Sequence, residues 1–205
     1  MTTVWIIRHA ESEANAGLPT LHPTTTKITP KGEKQAQQVA LAIPPTPDLI
    51  ITSPYLRTKQ TAQPTIDRFS GVSHLEWQVQ EFTFLTPSQY HNTTIHQRRP
   101  LVDRYWERCD PLHIDGEGAE SFAVMIDRVS QMLSKIAQLE EEFVVIFSHG
   151  RFMRAVLWTL FAKPTEVSPR TMQQFWAFAE SFRVPNGSIL KINFHAEDVW
   201  LSPIT

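Results

Sequence analysis

Short apolar runs alternate with longer segments of helical periodicity along this chain. Val4 to Ile7 reads as a short buried strand that runs straight into Arg8 and His9. Leu49 to Thr52 is a second such run, closed by Ser53-Pro54, and Leu75 to Gln80 a third, with Glu81 at its end. Phe143 to Phe147 is the clearest strand and leads into Ser148-His149-Gly150, and Ser188 to Phe194 is a further one. Between them the spacing predicts helices. Thr29 reads as an N-cap with Pro30 at the first helical position, followed by Ala36, Val39, Ala40 and Ile43 on one face, and Pro44-Pro45 stops the helix. Leu56 to Phe69 follows, which puts Arg57 on a first turn after a strand. Ser121 to Leu139 carries Phe122, Met125, Ile126, Val129, Leu133 and Ile136 on one face. Arg151 to Phe161 and Thr171 to Phe182 complete the set.

The segment from Phe82 to Glu117 breaks this rhythm. Pro87, Pro100 and Pro111 punctuate it, aromatic residues crowd it, and only Leu101 to Cys109 reads as a short helix. Long insertions in compact domains are often lids or binding loops. Residues 82–118 are therefore expected to form a helical and loop insertion that packs on the core and covers a site.

Composition narrows the class. The chain has 205 residues, 41% of them hydrophobic and 20% charged, which suits a single domain over 1–205 with a sizeable core. A formal net charge of −2 gives no general pull toward nucleic acid or anionic membrane. No apolar run approaches a transmembrane length, and no segment reads as a secretory leader. With one cysteine, Cys109, no internal disulfide can form, and a cytoplasmic setting is expected. Nothing in the sequence specifies an oligomeric state.

The candidate chemistry lies at the strand ends. In open α/β sheets ligands bind beyond the carboxyl ends of the strands. Arg8 offers a planar fork that matches phosphate oxygens, and His9 a nitrogen nucleophile or base near neutral pH. Arg57, on the first turn of a helix, sits where backbone N–H groups and the helix dipole favour an anion. Taken singly, Arg57 reads as well as a surface ion-pair partner, and His149 as a polar residue satisfied at a strand end. Glu76, Glu11 and Glu120 rival Glu81 as an acid.

Four motifs together resemble the histidine phosphatase superfamily, in its phosphoglycerate-mutase-like branch 1: RHAESEAN at 8–15, SPYLRTKQTA at 53–62, VQEF at 79–82 and SHG at 148–150. Their order and separation fit, and the Ser-Pro-x-x-Arg-Thr-x-Gln-Thr-Ala run is the most specific. ITPKGEKQA and GAES resemble helix openings of the same family, while residues 83–118 have no clear counterpart. The resemblance implies an α/β fold, a three-layer α/β/α sandwich with a mostly parallel central sheet. It implies that Arg8 and Arg57 clamp the phosphoryl oxygens, with Asn15, the Gly150 N–H and His149, protonated while phosphate is bound, as further donors. It implies that His9 attacks phosphorus to form a phosphohistidine, and that Glu81 protonates the leaving oxygen and then deprotonates water. Ser121 is a possible substrate contact, or simply an N-cap. Ala10 stands where Gly is commonest in the family.

Other phosphoryl-transfer chemistries fit poorly. Position 115, six residues after Cys109, is Asp115 rather than the Arg of a cysteine phosphatase, and no Asp-x-Asp or Walker loop occurs. No paired-Cys or His-x-His spacing suggests a metal, so neither metal nor cofactor is expected. GEGAES lacks the third glycine of a dinucleotide loop. The expected partner is a small-molecule phosphomonoester, and the expected enzyme a metal-independent phosphatase of the histidine acid phosphatase type. A cofactor-dependent phosphoglycerate mutase and a non-catalytic phospho-ligand module are the alternatives. Hydrolysis is favoured over mutase chemistry because 82–117 has no formal surplus of positive charge and offers aromatic residues instead, Phe84, Tyr90, Tyr105 and Trp106, either to pack against a leaving group or to be buried against the core.

Overall fold

The computed structural model describes residues 2–44, 46–195 and 198–201. Its centre is a six-stranded sheet formed by β1 (Thr2–Arg8), β2 (Leu49–Thr52), β3 (Ser73–Glu76), β4 (Phe143–Ser148), β5 (Ile189–His195) and β6 (Asp198–Leu201), in the order β3-β2-β4-β1-β5-β6. The first four of that order run parallel, and β5 and β6 are antiparallel additions at one edge.

Alternation along the strands produces the layers. Val4 and Ile6 of β1, with Leu49, Ile51, Val144 and Ile146, join one core cluster. Trp5 and Ile7, with Ile50, Val145 and Phe147, join the other. Such runs are apolar on both faces because both faces are covered. Helices α1 (Pro30–Ala42) and α2 (Leu56–Arg68) cover the second face through Val39 and Ala62. Helices α3 (Ile95–Arg108), α4 (Phe122–Ile136), α5 (Gly150–Ala162) and α6 (Pro169–Ser181) supply side chains to the first. This is the expected α/β sandwich with a mostly parallel sheet.

Local chemistry accounts for most boundaries. Thr29 caps α1 through a bond from Gly32 N–H (3.1 Å), with Pro30 in the first turn. Gly32 is needed there, since a Cβ would lie 2.2 Å from the Glu11 carbonyl oxygen. Ser168 and Thr171 form a reciprocal capping box at α6.

Two expectations are corrected. The third strand spans Ser73–Glu76, every residue of it exposed, so Glu81 lies in the loop five residues beyond it. The helix expected at Leu101 begins earlier, at Ile95, behind a Thr94–Gln97 capping box, and carries Pro100 inside it. Pro100 is the sixth residue of the helix, so the helix lacks the backbone bond that its N–H would have made to the His96 carbonyl.

Within the 82–117 segment the structure takes the core-packing alternative for two of the four aromatic residues. Trp106 is buried and stacks on Trp176 (centroids 4.4 Å, planes 14° apart), with Phe122 and Phe175 within 6.3 Å. Tyr105 is buried against Phe84 (4.6 Å). Trp106 and Tyr105 are therefore core residues, whereas Phe84 and Tyr90 also line the cavity described below. Trp106→Ala should cost about 3–5 kcal/mol in urea unfolding, as a large aromatic removed from a packed core does, and should leave the ranking of substrates unaltered in the folded fraction.

Candidate active site

The strand register assembles the centre. Arg8 pairs with Ser148 across β1 and β4, and the next residue, His9, donates its backbone N–H to the Ser148 carbonyl (2.9 Å). Thr52 pairs with Phe147 on the other side of β4, and Ser53 N–H reaches the Phe147 carbonyl (3.1 Å). Three carboxyl ends thus stop at one level, and the His9 and His149 rings lie 5.1 Å apart.

His9 is 3% exposed, and its Nδ1 lies 2.7 Å from the Ala10 carbonyl oxygen. A carbonyl can only accept, so Nδ1 carries the proton and the lone pair of the neutral ring belongs to Nε2. Burial, reinforced by the charges of Arg57 and Arg8, holds this imidazole well below its ordinary value near 6.5, and the bond to Ala10 opposes the shift without cancelling it. Ala10 does not have a positive φ, so glycine is not required at that turn.

His149 lies behind the cavity rather than on its wall. Its Nε2 is 2.7 Å from Ser53 Oγ, which is also 2.9 Å from Thr58 Oγ1, while its Nδ1 is buried without a partner among the described residues. Burial first, then Arg57, His9 and Arg8, hold this ring well below its ordinary value too. The protein alone therefore keeps His149 neutral, and its protonation would need the negative charge of a bound phosphoryl group.

Arg8 donates to the Val184 carbonyl (2.5 Å), and its Nε is buried without a partner. Burial and the charges of Arg154, Arg57 and Arg151 outweigh Glu81 and push it down to about 10. Gly150 makes room for it, since a Cβ there would stand 3.0 Å from Arg8 Nε. Arg57 is anchored to the Pro23 carbonyl (2.6 Å) and lies over the Tyr55 ring at 5.1 Å. Asn15 uses Oδ1 to accept from Ser12 and Asn186, which leaves its amide nitrogen to face other acceptors.

The Glu81 carboxylate sits at the N-terminus of α5. Its oxygens accept from the backbone N–H groups of Arg151 (3.1 and 3.2 Å) and Phe152 (3.2 Å). Its loop is held from both sides. Ser148 Oγ donates to the Val79 carbonyl (2.7 Å), and Arg128 donates to the carbonyls of Gln78 (2.9 Å) and Gln80 (3.2 Å). Arg128 in turn forks onto Glu120 (2.7 and 2.9 Å), which accepts from Thr83 N–H (3.1 Å). The rival acids are thereby accounted for. Glu120 belongs to this clamp, Glu76 pairs with Lys59 at the surface, and Glu11 pairs with Lys31 and Thr29 at the start of α1.

A cavity of about 250 Å³ joins Arg8, His9, Asn15, Arg57, Glu81 and Gly150. Ser121 is placed elsewhere, since its hydroxyl accepts from Val124 N–H as the N-cap of α4 and it does not reach the cavity wall. Sequence reasoning missed Arg98, Arg151 and Arg154, which line the same cavity, and the positioning residue Arg128. A signal for Arg128 existed: an arginine falls within the apolar stripe of α4, next to Val129 and three residues after Met125. Among the described residues no cluster of three or more His, Cys, Asp or Glu is placed to hold a metal ion.

A neutral histidine, clamped arginines and a facing carboxylate at the carboxyl ends of a parallel sheet have the charge and the donors to receive a phosphoryl group. The model of the histidine phosphatase superfamily, branch 1, matches residues 4–202, and the chain belongs to that family. It is 25% identical over 167 residues to an adenosylcobalamin/alpha-ribazole phosphatase of Salmonella typhi, covering 78% of this chain and 80% of that one. It is 26% identical over 214 residues to a probable phosphoglycerate mutase GpmB of Citrobacter koseri, covering 99% and 89%. The crystal structure of a phosphoserine phosphatase mutant from Entamoeba histolytica with phosphoserine shares the fold, with a TM-score of 0.72, 22% identity and coverage of 100% and 96%.

Both histidine shifts are downward, so the unfolded chain, with ordinary imidazoles, binds the additional protons below pH 6.5. The stability that depends on these two groups is complete above 6.5 and is lost as the pH falls, by about 1.4 kcal/mol per imidazole per pH unit. Ring NMR titration of the folded protein should find His9 and His149 still neutral at pH 5.5. A midpoint near 6.5 for either would contradict this account.

Proposed function

We propose that this protein is a phosphomonoester hydrolase that works through a phosphohistidine on His9 and needs no metal ion. The observation that carries the reading is the state of His9: a neutral ring with its proton held on Nδ1 by the Ala10 carbonyl, in a cavity walled by guanidinium groups. A dianionic ester repels most nucleophiles, so its hydrolysis requires cations around the phosphoryl oxygens and a nucleophile in line. Arg8 and Arg57 supply the cations.

In the first step His9 Nε2 attacks phosphorus, the ester P–O bond breaks, and the leaving oxygen takes a proton from Glu81. The imidazolium so formed keeps its Nδ1–H on the Ala10 carbonyl, which stabilises the developing positive charge. In the second step water attacks phosphorus and gives its proton to Glu81. The N–P bond then breaks, and inorganic phosphate leaves with neutral His9 restored. His149, buried beside His9 and bonded to Ser53 at Nε2, becomes a further donor to the phosphoryl group when the bound negative charge protonates it. The work is cytoplasmic in this reading, and residues 82–118 close over the bound ester as a lid.

A mutase is the second reading. The absence of a charge surplus in 82–117 had argued against it, but Arg151 and Arg154 bring positive charge to the cavity from α5 instead. Two probe reactions separate the readings: phosphate release from an aryl phosphate, and interconversion of 2- and 3-phosphoglycerate. We expect release to dominate and to survive EDTA. His9→Ala should abolish it together with the acid-labile phosphoenzyme trapped by alkaline quenching. Glu81→Gln should slow alkyl esters at least ~100-fold, the usual contribution of a positioned acid, and aryl esters with good leaving groups far less. Full activity in His9→Ala, or restoration by a divalent ion after EDTA, would defeat the proposal.

A further inference from the structure

Tyr55 stands behind the cavity at the turn from β2 into α2, one residue before the helix and two before Arg57. It is 7% exposed, and several parts of the site meet it. The Arg57 guanidinium lies over its ring at 5.1 Å, and the His149 ring packs on it at 5.3 Å with the planes 73° apart. Its backbone N–H donates to Ser53 Oγ (3.2 Å), the same oxygen that bonds His149 Nε2. Its hydroxyl leaves this group and reaches Thr83 Oγ1 (2.7 Å), on the loop that carries Glu81.

Thr83 is the joint between the two halves of the site. It is buried, lines the cavity and follows Glu81 by two residues. Its hydroxyl lies 3.3 Å from the Glu81 carbonyl oxygen, which can only accept, so Thr83 donates there. A lone pair of Thr83 Oγ1 then takes the Tyr55 proton. Burial pushes the Tyr55 phenol up, against the Thr83 bond and the Arg57 charge, so it keeps that proton at neutral pH. The donors therefore run one way, from Tyr55 through Thr83 to the backbone of Glu81. Thr83 N–H donates to Glu120 (3.1 Å), which joins this chain to the Arg128 clamp.

The two supports differ in what they hold the loop against. Arg128 ties it to α4, of which no described residue lines the cavity. Tyr55 ties it to the turn that carries Arg57. A general acid must be placed relative to the leaving oxygen, and that oxygen is placed by the groups that hold phosphorus. A packed tyrosine, with two side-chain torsions, is a stiff spacer between them.

We propose that Tyr55 is a positioning residue: through Thr83, its hydroxyl sets the Glu81 carboxyl against the leaving oxygen of a phosphoryl group held by Arg57. This rests on the hydrolase reading above and adds to its machinery a residue that does not touch the ester.

Tyr55→Phe tests it, since the variant keeps the ring under Arg57 and against His149 and deletes one oxygen. The kcat/KM for glycerol 1-phosphate, whose leaving oxygen needs the proton, should fall by about 3–10-fold more than that for p-nitrophenyl phosphate, as loss of one net hydrogen bond implies. Thr83→Val should show the same selectivity. In a Glu81→Gln background the selective loss from Tyr55→Phe should vanish, because its effect passes through the carboxyl. Amide hydrogen exchange at Phe82 and Thr83 should speed up by about the same 3–10-fold in Tyr55→Phe, whether or not the protein turns over. If no monoester is hydrolysed, the hydrolase reading falls on its own, and faster exchange still supports the placement of the Glu81 loop by Tyr55. The wild-type ratio between the two esters in Tyr55→Phe, a selective loss that persists beside Glu81→Gln, or unchanged exchange at both amides would overturn the proposal.

Discussion

The parallel register of β1 and β2 on β4 is the constraint on which the site depends. Side chains alternate along a strand, so a slip of one residue would turn every apolar side chain to the opposite face. Apolar packing on both faces holds the register, and the register brings three polar strand ends to one level. Ser148 pairs with Arg8, and Ser53 reaches the chain at Phe147. The closeness of the two histidines, the Ser53 bond to His149 and the fit of Arg8 against Gly150 all follow from that alignment.

Electrostatics then gives the aligned ends their chemistry. Burial and neighbouring guanidinium groups keep both histidines neutral, which suits one of them to nucleophilic attack. The same burial strips the arginines of water, and the pocket assembles positive charge with little compensation from the protein. Such an arrangement lowers stability and is retained where a ligand supplies the missing charge. Glu81 is the exception among these groups, since backbone N–H groups of α5 satisfy its oxygens and the Arg128–Glu120 pair fixes its loop.

The aromatic-rich segment after Glu81 divides its labour by helical phase. On α3, Tyr105 and Trp106 point into the core with Phe122 and Phe175, while Ile95, Arg98 and Val102, at spacings of three and four, face the cavity. One helix thereby packs the outer layer and walls the site. Its start behind the Thr94–Gln97 capping box overrode the signal of Pro100, although that proline, the sixth residue, costs the helix one backbone bond.

The sequence by itself determined what depends on local chemistry. Caps, apolar runs and turn residues placed α1, β2, α4 and β4 within a residue or a few of their observed bounds. The four motifs placed Arg8, His9, Asn15, Arg57, Glu81 and Gly150, which line one cavity. The tertiary structure decided what depends on distant partners. An exposed four-residue edge strand has no apolar pattern to read, so β3 was misplaced and Glu81 proved to be a loop residue. Arg151, Arg98 and Arg128 look in sequence like ordinary charges on helices, since only the packing of α5, α3 and α4 shows what each side chain faces. Ser121 could have been a ligand contact or a cap until α4 was seen to begin behind it. A strand end can be read from neighbours in the chain, whereas the charge balance of a cavity is a sum over elements that only folding brings together.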